Sequence, residues 1–270
     1  MRIAKLVGSL TLAAAFFGVA GVAAHAESDW QKSYPLNGHP SLWLSSSDSS
    51  LEVRSCGSCA SVQVRVVWND SKPGDYSIAE SQSGNHVNFV LKEKPGFKAH
   101  FGFGSHRGPQ VFVDTPQKAD VEMHTSDGGM SVADIQGVFV LQASDGSIRM
   151  HNITGTLAAH TSDGSAKIDG NFSAIELHSS DGSMDLTLNS GSRLSKASHI
   201  SSSDGAIRLQ LPANLKADLD LAASDGSIDC KLPLSSNGDA SKHHIRGQLN
   251  GGGALLEIRS SDGSIHVGQS

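Results

Sequence analysis

Hydrophobic and polar residues alternate along most of this chain, in blocks that repeat around the tripeptide Ser-Asp-Gly. It occurs seven times, with its aspartates at Asp127, Asp145, Asp163, Asp181, Asp204, Asp225 and Asp262. The first four are 18 residues apart and the later intervals are 23, 21 and 37, so a strict period is loosened by insertions. A fixed period of this length marks stacked supersecondary units.

Aligned on the Asp, three columns are apolar. Four residues before it stand Met123, Leu141, Ala159, Leu177, Ile200, Leu221 and Ile258; three after it stand Met130, Ile148, Ala166, Met184, Ile207, Ile228 and Ile265; five after it stand Val132, Met150, Ile168, Leu186, Leu209, Cys230 and Val267. The columns between them are mostly polar: His124, Gln142, His160, His178, Ser201, Ala222 and Arg259 before the turn, and Ser131, Arg149, Lys167, Asp185, Arg208, Asp229 and His266 after it. Period 2 on both sides of a turn predicts two half-buried strands per unit. Two residues before the Asp the inward column is small (Thr125, Ala143, Thr161, Ser179, Ser202, Ala223, Ser260), as suits a coil that narrows at a corner.

One unit cannot bury its own apolar face, so units must stack. The predicted fold is all-β: a β-solenoid or β-helix-like stack of about 18-residue repeats with Ser-Asp-Gly corners, like positions stacking in parallel at ~4.8 Å. The alternative is an antiparallel meander sandwich in which each Asp-Gly closes a two-residue hairpin. The matching columns favour the solenoid, because strands of alternating direction do not require like positions to agree. Asp-Gly is expected at the corner because it tolerates left-handed backbone, with the Asp or Ser side chain bonding a nearby backbone N–H.

Upstream, the pattern is still β-like but degenerate. "LWLSSSDSSLEVRS" keeps a turn at Asp48 without its Gly, "ASVQVRVVW" and "HVNFVLKE" alternate, and "QVFVDTP" leads into the first full unit. Between the last two lies "KPGFKAHFGFGSHRGP", the least regular segment. The N-terminus has a basic head at Arg2 and Lys5, an apolar run from Leu6 to Ala24 and an Ala24-His25-Ala26 site, which together read as a secretory signal peptide over 1–26. The expected organisation is then a flexible segment 27–39 and one β-repeat domain over 40–270, with degenerate rungs and the Gly/Phe/His loop in 40–115 and regular repeats in 116–270.

Charge narrows the partners. The net charge of −6 becomes more acidic once Arg2 and Lys5 are removed, and no basic footprint for nucleic acid or anionic membrane is present. After signal cleavage no segment approaches the ~20 apolar residues of a membrane helix. The expected location is the periplasm or cell surface of a bacterium.

The run "VFVDTPQKADVEMHTSDGGMSVADIQGVFVLQASDGSIRM", with "GNFSAIELHSSDGSMDLTL", "IRLQLPANLKADLDLAASDGSI" and "GQLNGGGALLEIRSSDGSIHV", resembles the bacterial "putative adhesin" domain of unknown function, over residues 40–270. That family is built of β-strand repeats and is akin to toast-rack and autotransporter-adhesin-head domains. The resemblance implies a β-helix-like domain exported to the envelope, with no catalytic residues to carry over. The departures are the Cys56-Gly57-Ser58-Cys59 insert and the missing Gly after Asp48, and they bear on the regularity of the first rung.

Candidate chemistry is sparse. The seven aspartates, aligned on one edge, could take Ca2+ or another hard cation through oxygen ligands; the competing reading is that they serve the turn. His160 and His178 fall in adjacent units and share a stripe with His124, interrupted by Gln142; a zinc site would need further ligands. Asp185, Arg208 and Asp229 stand in one outward column and are the two carboxylates and the basic group that a carbohydrate-active enzyme on this fold would use. Cys56 and Cys59 can close a small disulfide, leaving Cys230 as a buried small hydrophobe. Phe97, His100, Phe101, Phe103 and His106, in the irregular loop, are the binding candidates, since such loops carry recognition on rigid scaffolds. The function expected is non-catalytic, adhesin-like surface recognition or scaffolding with an envelope protein or glycan as partner; edge-to-edge self-association is open to any uncapped end.

Overall fold

The computed structural model describes residues 29–95, 107–235 and 241–270. The signal-peptide reading and the loop candidates Phe97, His100, Phe101, Phe103 and His106 lie outside these residues.

The regular elements of the described chain are all strands, apart from one 3-10 turn at Pro73–Asp75. Its strands form two facing sheets. The first runs, in spatial order, β5 (Tyr76–Ser83), β6 (His86–Glu93), β2 (Ser41–Ser46), β8 (Asp120–Thr125), β10 (Gln136–Ala143), the second halves of β11 (Ile148–Thr161) and β12 (Ala166–Ser179), β14 (Ser198–Ser202), β19 (Ala254–Ser260), β16 (Ala217–Ala223) and β18 (His244–Leu249). The second runs β1 (Trp30–Pro35), β4 (Ser61–Val67), β7 (Gln110–Thr115), β3 (Ser50–Ser55), β9 (Met130–Ala133), the first halves of β11 and β12, β13 (Met184–Leu188), β15 (Ile207–Leu211), β20 (Ile265–Gln269) and β17 (Ile228–Cys230). The long strands β11 and β12 bend from one sheet into the other and join them.

Every pairing inside the stack is parallel, and like positions stack, Leu141 on Ala159 on Leu177 on Ile200 for example, with register shifts only where β11 and β12 bend between the sheets; this establishes the solenoid over the meander. The apolar columns fill the space between the sheets: Met123, Leu141, Met130, Ile148, Met184, Ile207 and Ile265 are all at most 1% exposed. Only Ile228 and Cys230 fall short of full burial, because β17 is the outermost rung of its sheet. Antiparallel pairing is confined to the ends, in β1–β4–β7, β5–β6 and β16–β18.

Three expectations change. Residues 30–35 are not a flexible lead but the strand β1, whose Tyr34 is buried and whose Trp30 ring lies 5.5 Å from Phe89. The stack does not follow chain order at its C-terminal end: β19/β20, with corner Asp262, insert between the Asp204 and Asp225 rungs. The glycine of the corner is not there for left-handed backbone, since no corner glycine has a positive φ. A Cβ at Gly128, Gly146, Gly164, Gly182, Gly205, Gly263 or Gly226 would instead lie 2.0–2.2 Å from a carbonyl oxygen of the preceding corner in the stack. Ser49 can replace glycine because it is the first corner of that series; on its outer side Gly108 comes no closer than an ordinary contact, a Cβ there lying 3.6 Å from Asp48 O. The other edge repeats the device, with Gly137, Gly155 and Gly170 each against a carbonyl oxygen of the previous rung.

Hydrogen bonds then tie corner to corner: the N–H groups of Ser126 and Asp127 donate to Ser47 O at 3.1 and 3.0 Å, and that of Asp145 to Ser126 O at 2.9 Å. Inside the first two turns the small residue two before the Asp takes a turn N–H. Thr125 Oγ1 accepts the Gly128 N–H at 3.1 Å and donates to Ser47 O, and Ser46 Oγ accepts the Ser49 N–H.

Gly164→Ala is expected to cost about 2–3 kcal/mol, because a backbone oxygen cannot move aside without opening the ladder. Gly108→Ala, whose Cβ would make an ordinary 3.6 Å contact with Asp48 O, should stay within about 0.5 kcal/mol. Urea unfolding of the two variants separates these outcomes.

Candidate functional site

The corner aspartates are all exposed, and none of the corner's hydrogen bonds uses their carboxylates. Stacking places them in a line that begins at Asp48, passes Asp127, Asp145, Asp163, Asp181 and Asp204, and ends at Asp262 and Asp225. Neighbours touch. A hydrogen bond with Asp48, then partial desolvation and the charges of Asp48 and Asp145, raise the Asp127 carboxyl above its ordinary value. Asp204 is raised in the same way, first by a hydrogen bond with Asp262 and then by desolvation and the charges of Asp181 and Asp262. The line does not converge: among the described residues, no group of three carboxylate, imidazole or thiol side chains is placed to hold one metal ion.

The outward face of the first sheet carries the histidine stripe. The His160 and His178 rings stack at 5.0 Å and 9°, and the His124 ring lies 5.6 Å from Trp43. Burial, then the neighbouring His160, lowers the His178 pKa, while its Nδ1 meets Ser201 Oγ at 2.8 Å. Gln142 leaves a gap between His124 and His160, which opens as a depression of about 270 Å3 floored by Thr125, Ala143 and the corner serines Ser126, Ser144 and Ser162.

Beside this stripe the same face turns apolar. Val138, Thr156 and Ala174 are in register on β10, β11 and β12, the row continues through Ala197 to Leu255, and Val140 and Ala158 flank it. All of them except Leu255 line a shallow groove of about 290 Å3. Val138, 50% exposed, and Leu255, 38% exposed, are the two exposed large hydrophobics among the described residues, and both lie in this row. Sequence columns aligned on the aspartate did not single them out, because they fall seven residues before it, where the repeat is no longer compared.

Towards the C-terminal end the face becomes ionic. Asp220 accepts from Arg259 at 2.9 Å, from His244 at 3.0 Å and from Arg246 at 3.0 Å; Arg259 also pairs with Glu257, which bonds His199 at 2.7 Å. Burial alone would raise the Asp220 carboxyl, but these donors outweigh it and hold the pKa at about 2. The network laces β14, β19, β16 and β18 together.

On the outward face of the second sheet, Arg208 and Asp185 lie 3.6 Å apart, but Asp229 does not join them. β15 and β20 intervene, so Asp185 and Asp229 are separated by three rungs, or ~14 Å. Paired carboxylates in glycoside hydrolysis stand roughly 5–9.5 Å apart. His266 stands between Arg208 and Asp229, 3.8 Å from the latter. Cys56 and Cys59 are joined by a disulfide, closing the turn between β3 and β4, and Cys230 is a half-buried free thiol whose pKa burial raises.

The Toastrack DUF4097 family profile matches residues 41–268. The chain belongs to this family. Several solved structures are similar to the chain at low identity. A "putative adhesin" from Bacteroides fragilis is 10% identical, with 91% of this chain and 98% of that one covered and a TM-score of 0.47. A "putative cell adhesion protein" from Clostridium sporogenes is 11% identical, with 90% and 99% covered and a TM-score of 0.40. A "putative adhesin" from Parabacteroides merdae is 11% identical, with 90% and 97% covered and a TM-score of 0.39. No curated protein matches the chain.

Two pH dependences of opposite sign follow from the site. Asp220 is held below its unfolded value, so its contribution is complete above pH ~4 and is lost as the pH falls towards 2. Asp220→Asn should therefore cost about 2 kcal/mol at pH 7, and the difference from wild type should shrink on acidification. Asp127 is raised on folding, so its repulsion is absent below the unfolded value near pH ~4 and is felt as the pH rises past the folded value. Asp127→Asn should raise the melting temperature at pH 7 and lose that advantage in acid; melting curves from pH 3 to 8 check both signs.

Proposed function

We propose that this Toastrack protein is an exported, non-catalytic recognition domain of the bacterial envelope, used for adhesin-like contact or scaffolding, and that the outward face of its first sheet is the contact surface. The observation that carries this reading is the row of Val138, Thr156, Ala174, Ala197 and Leu255. Large apolar side chains on a rigid sheet face are costly to leave in water, and an exposed apolar patch rimmed by polar groups is the usual mark of a protein-binding surface. Here the rim is the His124–Gln142–His160–His178 stripe on one side. Export is supported by the basic head, apolar run and Ala-x-Ala site of the first 26 residues. An envelope protein fits the apolar row better than a glycan, whose hydroxyls would find partners only along the histidine and serine columns.

Capture from detergent-solubilised envelope extract tests the reading. A Val138→Asp/Leu255→Asp double variant, which alters exposed side chains only, should lose at least about tenfold of the wild-type capture, while replacement of 96–106 by a short Gly/Ser linker should not. Equal capture by wild type and the double variant would move the contact surface elsewhere, and loss with the linker variant alone would place it at the loop.

A second reading assigns a weakly held divalent cation to the corner ladder, favoured because the turn makes no use of its carboxylates. Two neighbouring corners supply only part of the six to eight oxygens calcium takes, the rest being water, so affinity would be near the millimolar end of the range for extracellular sites. Millimolar Ca2+ should then raise the melting temperature of wild type and not of an Asp127→Asn/Asp145→Asn variant; an unmoved wild-type transition removes this reading.

A further inference from the structure

A parallel stack of this kind has four terminal strands, and each exposes backbone N–H and C=O groups that attract another strand unless blunted. Three of the four are blunted in this chain. β1 pairs with β4 through its even-numbered residues, as Leu36 N–H to Ala60 O shows, so only Gln31, Ser33 and Pro35 face outward; Pro35 has no N–H and its carbonyl is taken by Gln82 Nε2 at 2.6 Å. β18 is covered by Ser235, which exchanges two hydrogen bonds with Gln248, and by Ser241, whose N–H donates to His244 O. β17 has three residues, and Lys242 O takes the outer N–H of Ile228. The returning segments 231–235 and 241–244 thus cover one end of the stack.

β5 is different. It is eight residues long, contains no proline and carries one charge, Glu80. Lys94 N–H donates to Asp75 O, which sets the alternation of the β5–β6 ladder: Ser77, Ala79, Ser81 and Ser83 bond to β6, while Tyr76, Ile78, Glu80 and Gln82 turn their backbone groups away from it. The Tyr76 N–H closes onto Pro73 O. Among the described residues, no strand pairs with the N–H groups of Ile78, Glu80 and Gln82 or with the carbonyls of that outer edge.

We propose that β5 is the dimerisation edge of this protein, pairing antiparallel with β5 of a second copy about a two-fold axis through Ala79. The strand is complementary to itself in this register. Ile78 faces Glu80 of the other copy, Ser77 faces Ser81 and Tyr76 faces Gln82, and the parity is right, since Ile78 and Glu80 both point their backbone groups outward. Ile78–Glu80 hydrogen bonds on both sides of the axis satisfy all of those donors, and the Gln82 N–H reaches the Tyr76 carbonyl. A register centred on Glu80 would oppose two like carboxylates, which is unfavourable across a strand pair. In the Ala79 register each Glu80 keeps its own Lys32, at 2.5 Å, and its bond from the Tyr34 hydroxyl, so no uncompensated charge enters the interface. The half-buried Tyr76 and Ile78, which pack on the end of the core, gain cover as the first sheet continues into the second copy. Such a two-fold contact closes on itself, so the assembly stops at a dimer.

Sedimentation equilibrium of the purified protein over micromolar concentrations reads the outcome. Wild type should be a dimer, and Ala79→Lys, which sets two ammonium groups against each other on the axis and touches no core residue, should weaken it about tenfold or more. Ile78→Pro, which removes an outward N–H that β6 does not use, should do the same. Hydrogen exchange on wild type is independent of whether either variant folds: the Ile78, Glu80 and Gln82 amides should become protected as concentration rises, while Ser77, Ala79 and Ser81 are protected throughout. A protein that stays monomeric across the range, a dimer of unchanged strength in folded Ala79→Lys, or no concentration-dependent protection of Ile78 and Glu80 would each overturn the proposal.

Discussion

The distance between neighbouring rungs governs this molecule. Parallel strands must lie ~4.8 Å apart for their backbone bonds to form, and the corner that joins the two sheets has to respect the same spacing. Carbonyl oxygens of one corner therefore press against the Cα atoms of the next, and only glycine leaves room, as the 2.0–2.2 Å approach of any added Cβ shows. The sequence repeat is the imprint of that contact. At the first two corners Thr125 and Ser46 complete it by accepting a turn N–H from inside, and no aspartate carboxylate takes part in those bonds.

From that freedom comes the character of the edge. A carboxylate at each corner is solvated enough to be tolerated but close enough to its neighbours for protons to be held more tightly than usual at Asp127 and Asp204. The ladder thus opposes folding slightly at neutral pH. The opposite occurs on the sheet face, where Asp220 gathers three donors and pulls the C-terminal strands together. One residue type plays both parts, and the difference lies in which side chains the stacking brings beside it.

Stacks have ends, and the two ends here are built differently. The chain closes one by folding back, with β18 antiparallel to β16 and the 231–235 and 241–243 segments bonded over the outer strands. It closes the other with the β1 and β5 layers, where Lys32, Glu80, Tyr34 and Gln82 replace the aliphatic residues of the interior and where, among the described residues, no strand pairs with the outer edge of β5.

The sequence by itself determined the strands, the inward and outward columns and the place of the corners, because each rung repeats one local pattern of alternation and turn, and that pattern does not depend on which rung lies next to it. It also marked His160 and His178 as neighbours, since strict spacing carries them into register. What lay beyond it were the decisions that depend on neighbours distant in the chain. Identical corners do not encode their partners, so the insertion of the Asp262 rung before the Asp225 rung was not legible, although Ala222 in a polar column and Cys230 in an apolar one are the marks of a terminal rung. The same insertion separates Asp185 from Asp229. The alternation of Trp30, Lys32 and Tyr34 is too short to declare a strand until β4 offers it an edge, and the row from Val138 to Leu255 exists only once four strands and the residue leading into β14 are laid side by side. Tertiary structure decided these because parallel pairing is non-local: each strand finds its hydrogen-bond partners in another rung, and the choice of rung belongs to the whole stack.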